Sequence, residues 1–424
     1  MINVFTVTIT PRLQYVLGEI FTRRLGLDFE IITDVEVFTK SKGIRINHSN
    51  LTIDSTLQIL PHGLLNNHSI EKIVFDVTAN NDWHIVFGKI NNSVIPFDIF
   101  ASIFYLLSRY EEYTISERDI HGRFQAKNSV AFANNFLRVP LIELWCEKLK
   151  EILQHHKKHI EFKNHTYTAL HTVDVDLCYK YFGIDWWKWI GKLLIHTVTF
   201  NFEQLRTALL ARYDPMYDPY NTFEFILSKT KNKAAFFMLM NNGGKYDRTI
   251  NPNNLTMKNL VLYLKKNSAF VGIHPSYVSN TSTKKLKREI DILANILNEP
   301  ITQSRQHYLK LQLPETYKTL LSHGIKTDYS LFYTEEFGFR ASTCFPFYFY
   351  NLKEEKITDF EIMPTCFMDT TAYMYYNSNS NWLNELLEMK QKIKQYKGNF
   401  ITLWHNNNLE NNSQKENFIT VTKN

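Results

Sequence analysis

The stretch "ALHTVDVDLCYKYFG", residues 169–183, decides how this chain is read. An apolar, β-branched run ends on two carboxylates, Asp174 and Asp176, with Val175 between them. Residues two apart on a strand project to the same side, so both acids face one pocket while Val175 faces away. Like charges held that close repel, so either a cation sits between them or one carboxyl keeps its proton. An isolated D-x-D is more often a solvated loop or a helix cap than a site. Its weight therefore depends on what the rest of the chain places beside it.

Downstream, β-like runs alternate with helical ones. The strand candidates are "TALHTVD" (168–174), "AAFFMLM" (234–240), "AFVGI" (269–273), "HGIKTDYS" (323–330) and "FITLWH" (400–405). Between them, "KKLKREIDILANIL" (284–297) sets Leu286, Ile290, Leu293 and Leu297 at helical intervals, and "NWLNELLEMKQKI" (381–393) repeats the pattern. Such alternation predicts a parallel sheet or barrel, with chemistry at the strand C-termini. The polar groups at those ends are Asp174 and Asp176, His274, Asp328 and His405; only "AAFFMLM" ends otherwise, in Asn241-Asn242-Gly243-Gly244.

Upstream, the pattern differs. To about Asn80 there are short β-rich pieces, "GIRINHS" (43–49), "LTIDSTLQIL" (51–60) and "KIVFDVT" (72–78), broken by Asn, Pro, His and Gly. In "FDIFASIFYLLSRYEEY" (97–113), Phe97, Phe100, Phe104 and Leu107 predict a helix with one buried face. A second helix follows at "VPLIELWCEKLKEILQHHKKH" (139–159), where His155, His156 and His159 read as a solvated, Lys-rich helix end. The resulting division is an α+β domain over residues 1–160, a (β/α) barrel over 161–410 and a mobile Asn-rich tail over 411–424.

Bulk properties narrow the classes. A chain of 424 residues that is 44% hydrophobic and 14% aromatic is not disordered. Its net charge of +6 comes from scattered Lys and Arg, which argues against a nucleic-acid stripe. Cys146, Cys178, Cys344 and Cys366 lie far apart without C-x-x-C spacing, which fits reduced thiols and neither a disulfide framework nor a zinc knuckle. With no secretory signal at the N-terminus, the expected location is cytoplasmic. The most apolar stretch, residues 94–107, is shorter than the roughly 20 residues of a membrane crossing, so no transmembrane segment is expected. Nothing in the sequence speaks to oligomeric state.

Taken in order, "TVDVD", "VGIHPSY", "SRQHY", "SHGIKTDYS" and "ITLWHN" resemble the motifs of the polysaccharide deacetylase family, over roughly residues 165–410. These are metal-dependent carbohydrate esterases on an irregular (β/α) barrel. "FDIFASIFYLLSRYEEY", "DIHGRF", "DPYNTFEFIL", "GFRAST" and "MPTCFMDTT" are similar to a bacterial branch with an extra N-terminal domain of unknown role. The resemblance implies hydrolysis of a non-peptide carbon–nitrogen bond, removing N-acetyl groups from a carbohydrate or glycan precursor. It gives Asp174 the place of the catalytic base, Arg305 that of the arginine orienting it, and His405 that of the general acid. Asp176 and His274 take metal-ligand places, and the implied cofactor is a divalent metal, zinc in the first instance.

Two departures stand out. Val175 separates aspartates that are usually adjacent, and Val278 stands four residues after His274, where a second histidine is expected one helical turn on. His307 is the candidate replacement ligand. Tyr277, Tyr308, Asp328 and Arg340 are candidate substrate-binding groups, Arg340 being equally readable as a structural ion-pair partner. The missing histidine keeps open an alternative, a catalytically impaired barrel serving as a carbohydrate-binding or assembly module. "DWWKWI" (185–190) is read as a helix packing on the barrel in preference to a sugar-stacking lid.

Overall fold

Parallel strands need crossover connections, and the chain supplies them in two sheets. The computed structural model describes residues 1–424 except 55, 74–75, 89–90, 377–380 and 424. The first sheet orders four short strands 2-1-3-4: β1 (Ile2–Phe5), β2 (Phe29–Ile32), β3 (Ile44–Asn47) and β4 (Leu57–Gln58), all parallel. Helical segments between Pro11 and Leu25 and over Val35–Lys40 cross between the strands. This corrects the α+β expectation, since strand and helix alternate here as in an α/β unit. Strands of four residues or fewer leave too few alternations for the pattern to be seen in sequence. A hairpin of β5 (Val77–Asn80) and β6 (His84–Phe87) follows; of "KIVFDVT", Val74 and Phe75 lie outside the described residues.

Nine strands form the second, curled sheet, in the order 12-13-11-10-9-8-7-15-14. They are β7 (Thr168–Val175), β8 (Ala235–Met238), β9 (Phe270–Ile273), β10 (Gln303–Ser304), β11 (Thr327–Asp328), β12 (Phe347–Asn351), β13 (Lys356–Ile362), β14 (Phe367–Met368) and β15 (Asn399–His405). All are parallel except edge strand β12, which pairs antiparallel with β13. Mixed α/β architecture with a half-barrel sheet is thus the observed fold. The register sets the strand ends level: His405 lies beside Asp174, Asp174 beside Phe237, and Met238 beside Ile273. Gly272 makes the close approach of β8, β9 and β10 feasible, because a Cβ there would stand 2.8 Å from both the Gln303 carbonyl and the Phe237 ring.

One apolar cluster runs through both sheets, from Ile2 to Val421. Helix Ile99–Leu107 is buried at all nine positions, beyond the single buried face expected, because it packs on both sides. Buried polar links reinforce this continuity. Arg12 pairs with Glu355 at 2.5 Å, Thr343 Oγ1 donates to Glu143 at 2.6 Å, and Glu112 accepts both Arg109 and Arg340. The segment read as a mobile tail instead forms helix Asn412–Thr422, which seats Phe418 and Val421 against the core; Phe418 meets Trp404 edge-on at 4.9 Å. Its two apolar anchors are too few to outweigh an Asn-rich composition in sequence. Of the three tryptophans in "DWWKWI", Trp189 packs and donates to the Ala208 carbonyl, whereas Trp186 and Trp187 are exposed.

Candidate metal and catalytic site

A cavity of about 720 Å³ opens at the C-terminal ends of the parallel strands, lined among others by Asp174, Asp176, His274, His307, Tyr308 and His405. Asp174 is the penultimate residue of β7 and Asp176 the first after it, so the pleat aims both inward while Val175 is fully buried behind them. Pro275 stops β9 just past His274, and Arg305 and His307 follow directly on β10.

The two imidazoles are fixed by what lies behind them. His274 Nδ1 is 2.6 Å from the Arg305 carbonyl, which can only accept, so Nδ1 carries the proton and Nε2 presents its lone pair. His307 Nδ1 likewise donates to Asp247 Oδ1 at 2.9 Å. Both Nε2 atoms converge on Asp176 Oδ1, at 3.1 Å from His274 and 3.6 Å from His307. That oxygen is buried without a well-aligned hydrogen bond. The three ligand atoms lie within 4.8 Å of one another. Two lone pairs and an orphaned carboxylate oxygen facing one point are an arrangement that a cation resolves, and a His₂-carboxylate donor set suits zinc.

The electrostatics agree. Burial works against the imidazolium of His307, but Asp176 and then Asp247 outweigh it and raise the pKa to about 10. Burial also pushes the Asp176 carboxyl up, yet His307 and His274 reverse this and hold it well below the ordinary carboxylate range. Asp176 keeps about a quarter of its side chain, 27%, open to the cavity.

Arg305 is wholly buried and anchors Asp174. Its Nη1 donates to Asp174 Oδ1 at 3.2 Å and to Thr172 Oγ1 at 2.5 Å, Nε to the Tyr329 carbonyl, and Nη2 to Thr365 Oγ1. Burial of its guanidinium is the leading influence and moves its pKa down despite Asp174. On the neighbouring strand β15, His405 Nδ1 lies 2.6 Å from Asp369 Oδ1, and its Nε2 points inward, 3.8 Å from Asp176 Oδ2. Burial disfavours this imidazolium too, but Asp369 foremost, then Asp176 and Asp174, raises its pKa to about 9.

The other expected substrate groups divide. Tyr308 lines the cavity, its backbone at φ 62° and its carbonyl accepting from Arg123 Nη1 at 2.9 Å. Tyr277 stands behind it in an aromatic cluster with His121 and Tyr246. Asp328 does not reach the cavity; it is fully buried, accepting from Ser304 and Ser330, and braces β10 from below. Arg340 is also elsewhere, gripping Glu112 through Nε at 2.9 Å and Nη2 at 2.6 Å. Of its two readings, the ion pair describes its surroundings. Val278 offers no ligand, and His307 supplies a ring nitrogen beside Asp176 from the neighbouring strand end.

Several residues at the site carried no role in the sequence reading. Asp369, in "MPTCFMDTT", backs His405; Asp247, in "GGKYDRT", backs His307. His121 and Arg123 of "DIHGRF" bring the N-terminal part of the chain into the cavity wall. Only the presence of unassigned acids in motif-bearing loops hinted at the first two.

Comparison with known proteins gives the following. Residues 2–158 match a model described as "Family of unknown function (DUF7033)". No curated protein matches the chain. Among solved structures, the chain is similar to one from Mycobacterium smegmatis provisionally named a polysaccharide deacetylase, at 11% identity and a TM-score of 0.36, covering 61% of this chain and 84% of that one. It is also similar to the polysaccharide deacetylase Bc1974 from Bacillus cereus, at 13% identity and a TM-score of 0.28, covering 60% and 85% respectively. At such distances the site has to be read from its own geometry.

Proposed function

We propose that the chain is a divalent-metal-dependent hydrolase of non-peptide carbon–nitrogen bonds that removes N-acetyl groups from a carbohydrate or glycan precursor. The observation that carries this reading is the convergence of His274 Nε2, His307 Nε2 and the unsatisfied Asp176 Oδ1, with Arg305 and Asp247 holding both rings in the ligating tautomer. A divalent ion held by Asp176, His274 and His307 would supply Lewis acidity to the acyl carbonyl and to the attacking water.

The chain's own groups do the rest. Asp174 is the base: Arg305 engages Oδ1, which leaves Oδ2, 3.7 Å from His274 Nε2, to receive the proton of the attacking water. His405 is the acid, kept protonated by Asp369 and delivering its Nε2 proton to the departing amine. Arg305 orients the base from a position shut off from solvent. Tyr308 and the adjoining aromatic cluster offer ring faces to a sugar.

The test is metal content together with acetate release from N-acetylated saccharides by the zinc- or cobalt-loaded protein. Stoichiometric metal lost in His274→Ala, and turnover lost in Asp174→Asn, are the expected results. A protein that holds no metal under any loading condition leaves the rival reading, a carbohydrate-binding or assembly module.

A further inference from the structure

The helical hairpin Trp186–Val198 and Phe202–Ala211 is built inside out. Helix Trp186–Val198 has no buried residue. The inner side of the hairpin closes only a small cluster of Tyr181, Ala208 and Ala211 with Trp189 and Leu193. Its outer side carries Trp186, Trp187, Ile190, Leu194, Ile195 and Val198, which at 100° per residue cover about half the helix circumference. Exposure there runs from 41% to 70%. Phe200 at the turn meets Phe202, and these two with Leu209, Leu210 and Tyr213 are exposed as well. Scattered exposed apolar residues need no explanation, but a contiguous patch of this kind marks a contact.

Charge selects the occupant. Residues 186–213 hold four cations, Lys188, Lys192, Arg206 and Arg212, against one acid, Glu203. That is a net +3 in 28 residues, and +1 when the bounding Asp185, which pairs with Lys188 at 2.8 Å, and Asp214 are counted. Lys188 and Lys192 flank the apolar arc on one side, where basic residues sit on an interfacial helix. A second copy docking through the same patch would set like charges against like, as an isologous contact requires. A bilayer with anionic headgroups accepts both the tryptophans and the lysines. No described helix is long and apolar enough to cross a membrane, so the contact is with the surface.

We infer that this hairpin seats the protein on the interface of an anionic lipid bilayer. Beneath it, a second cavity of about 680 Å³, lined by Lys188, Lys192 and Ile195, shares Leu177 and Arg248 with the site cavity. The membrane contact therefore borders a cavity adjacent to the site, and it does not depend on the hydrolase reading.

The experiment is co-sedimentation of the full chain with phosphatidylcholine vesicles with and without phosphatidylglycerol. It is paired with quenching of tryptophan fluorescence by brominated lipid, which needs no variant. Of the seven tryptophans, Trp83, Trp145 and Trp404 are buried and Trp189 and Trp382 half-buried, so lipid-dependent quenching reports chiefly on the exposed Trp186 and Trp187. The expected result is binding at least tenfold tighter to anionic vesicles, with quenching. It should be lost in Trp187→Ser/Leu194→Ser/Val198→Ser and weakened in Lys188→Glu/Lys192→Glu. Absence of vesicle binding, binding unchanged in the triple variant, or a solution dimer that this variant converts to monomer would each overturn the proposal. Because vesicle binding is read without turnover, its failure is distinct from failure of the hydrolase reading.

Discussion

Asp369 Oδ1 lies 2.6 Å from His405 Nδ1, although 36 residues separate them in the chain. Asp369 follows β14 and His405 ends β15, and the parallel pairing of those strands brings the two together. Asp369 also accepts from the His405 backbone N–H and from Asn408, so both of its oxygens are committed. The pair sets the charge and the direction of the imidazole that faces the cavity beside Asp174.

If His405 is the general acid, His405→Ala should lower the kcat of N-deacetylation by about 10²- to 10⁴-fold, the usual range for a positioned proton donor. Asp369→Asn should reduce kcat in the same direction with KM nearly constant. Bound metal should be unchanged in both. Steady-state kinetics with elemental analysis of the same preparations tests this, and loss of metal in Asp369→Asn would count against the assignment.

Asp247 touches no ligand point itself, but it orients His307 and also accepts from the Tyr277 backbone N–H. Replacing such a supporting group usually costs 10- to 100-fold in metal affinity. Asp247→Asn is therefore expected to weaken zinc binding by about that factor, and His307→Ala by more. Competition with a chelating indicator measures both.

Arg340 is expected to matter for stability and not for substrate. Arg340→Ala leaves Glu112 buried with Arg109 alone, and breaking a buried ion pair costs about 3–5 kcal/mol. Denaturant unfolding should show that loss, while KM of the folded variant stays near that of the parent. A raised KM at unchanged stability would return Arg340 to the substrate.

His171 supplies a pH signature. It is a buried residue of β7, 2.8 Å from Thr402 Oγ1 on β15, and burial foremost, with Lys390, lowers its pKa from 6.5 to about 3. The unfolded chain then binds this proton more readily than the folded one. The neutral ring's contribution is fully present above the unfolded value and falls as pH drops from 6.5 toward 3. The slope is about 1.4 kcal/mol per pH unit. Between pH 6.5 and 5, wild type should lose about 2 kcal/mol more than His171→Asn, which denaturant titrations at the two pH values would measure.

How much of this was legible depended on the range of the interaction. Asp174, Asp176, His274 and His405 could be placed at strand ends because a period of two and a run of apolar residues are local properties of the chain. The alternation of such runs with helical ones likewise foretold a parallel sheet. The four-residue strands β1 and β2 left too little pattern to read, and helix Asn412–Thr422 had too few apolar anchors among its polar residues.

Sequence by itself determined the strand-end acids and histidines and the order in which they occur. Tertiary structure decided which of them meet. That His307 comes beside Asp176, that Asp247 and Asp369 stand behind His307 and His405, and that Arg340 turns away to Glu112 all follow from sheet register and packing. These relations hold between residues tens to hundreds of positions apart. The physical reason is that a metal-type site is defined by lone pairs converging within a few ångströms, and such convergence depends on where the whole sheet sets its strand ends.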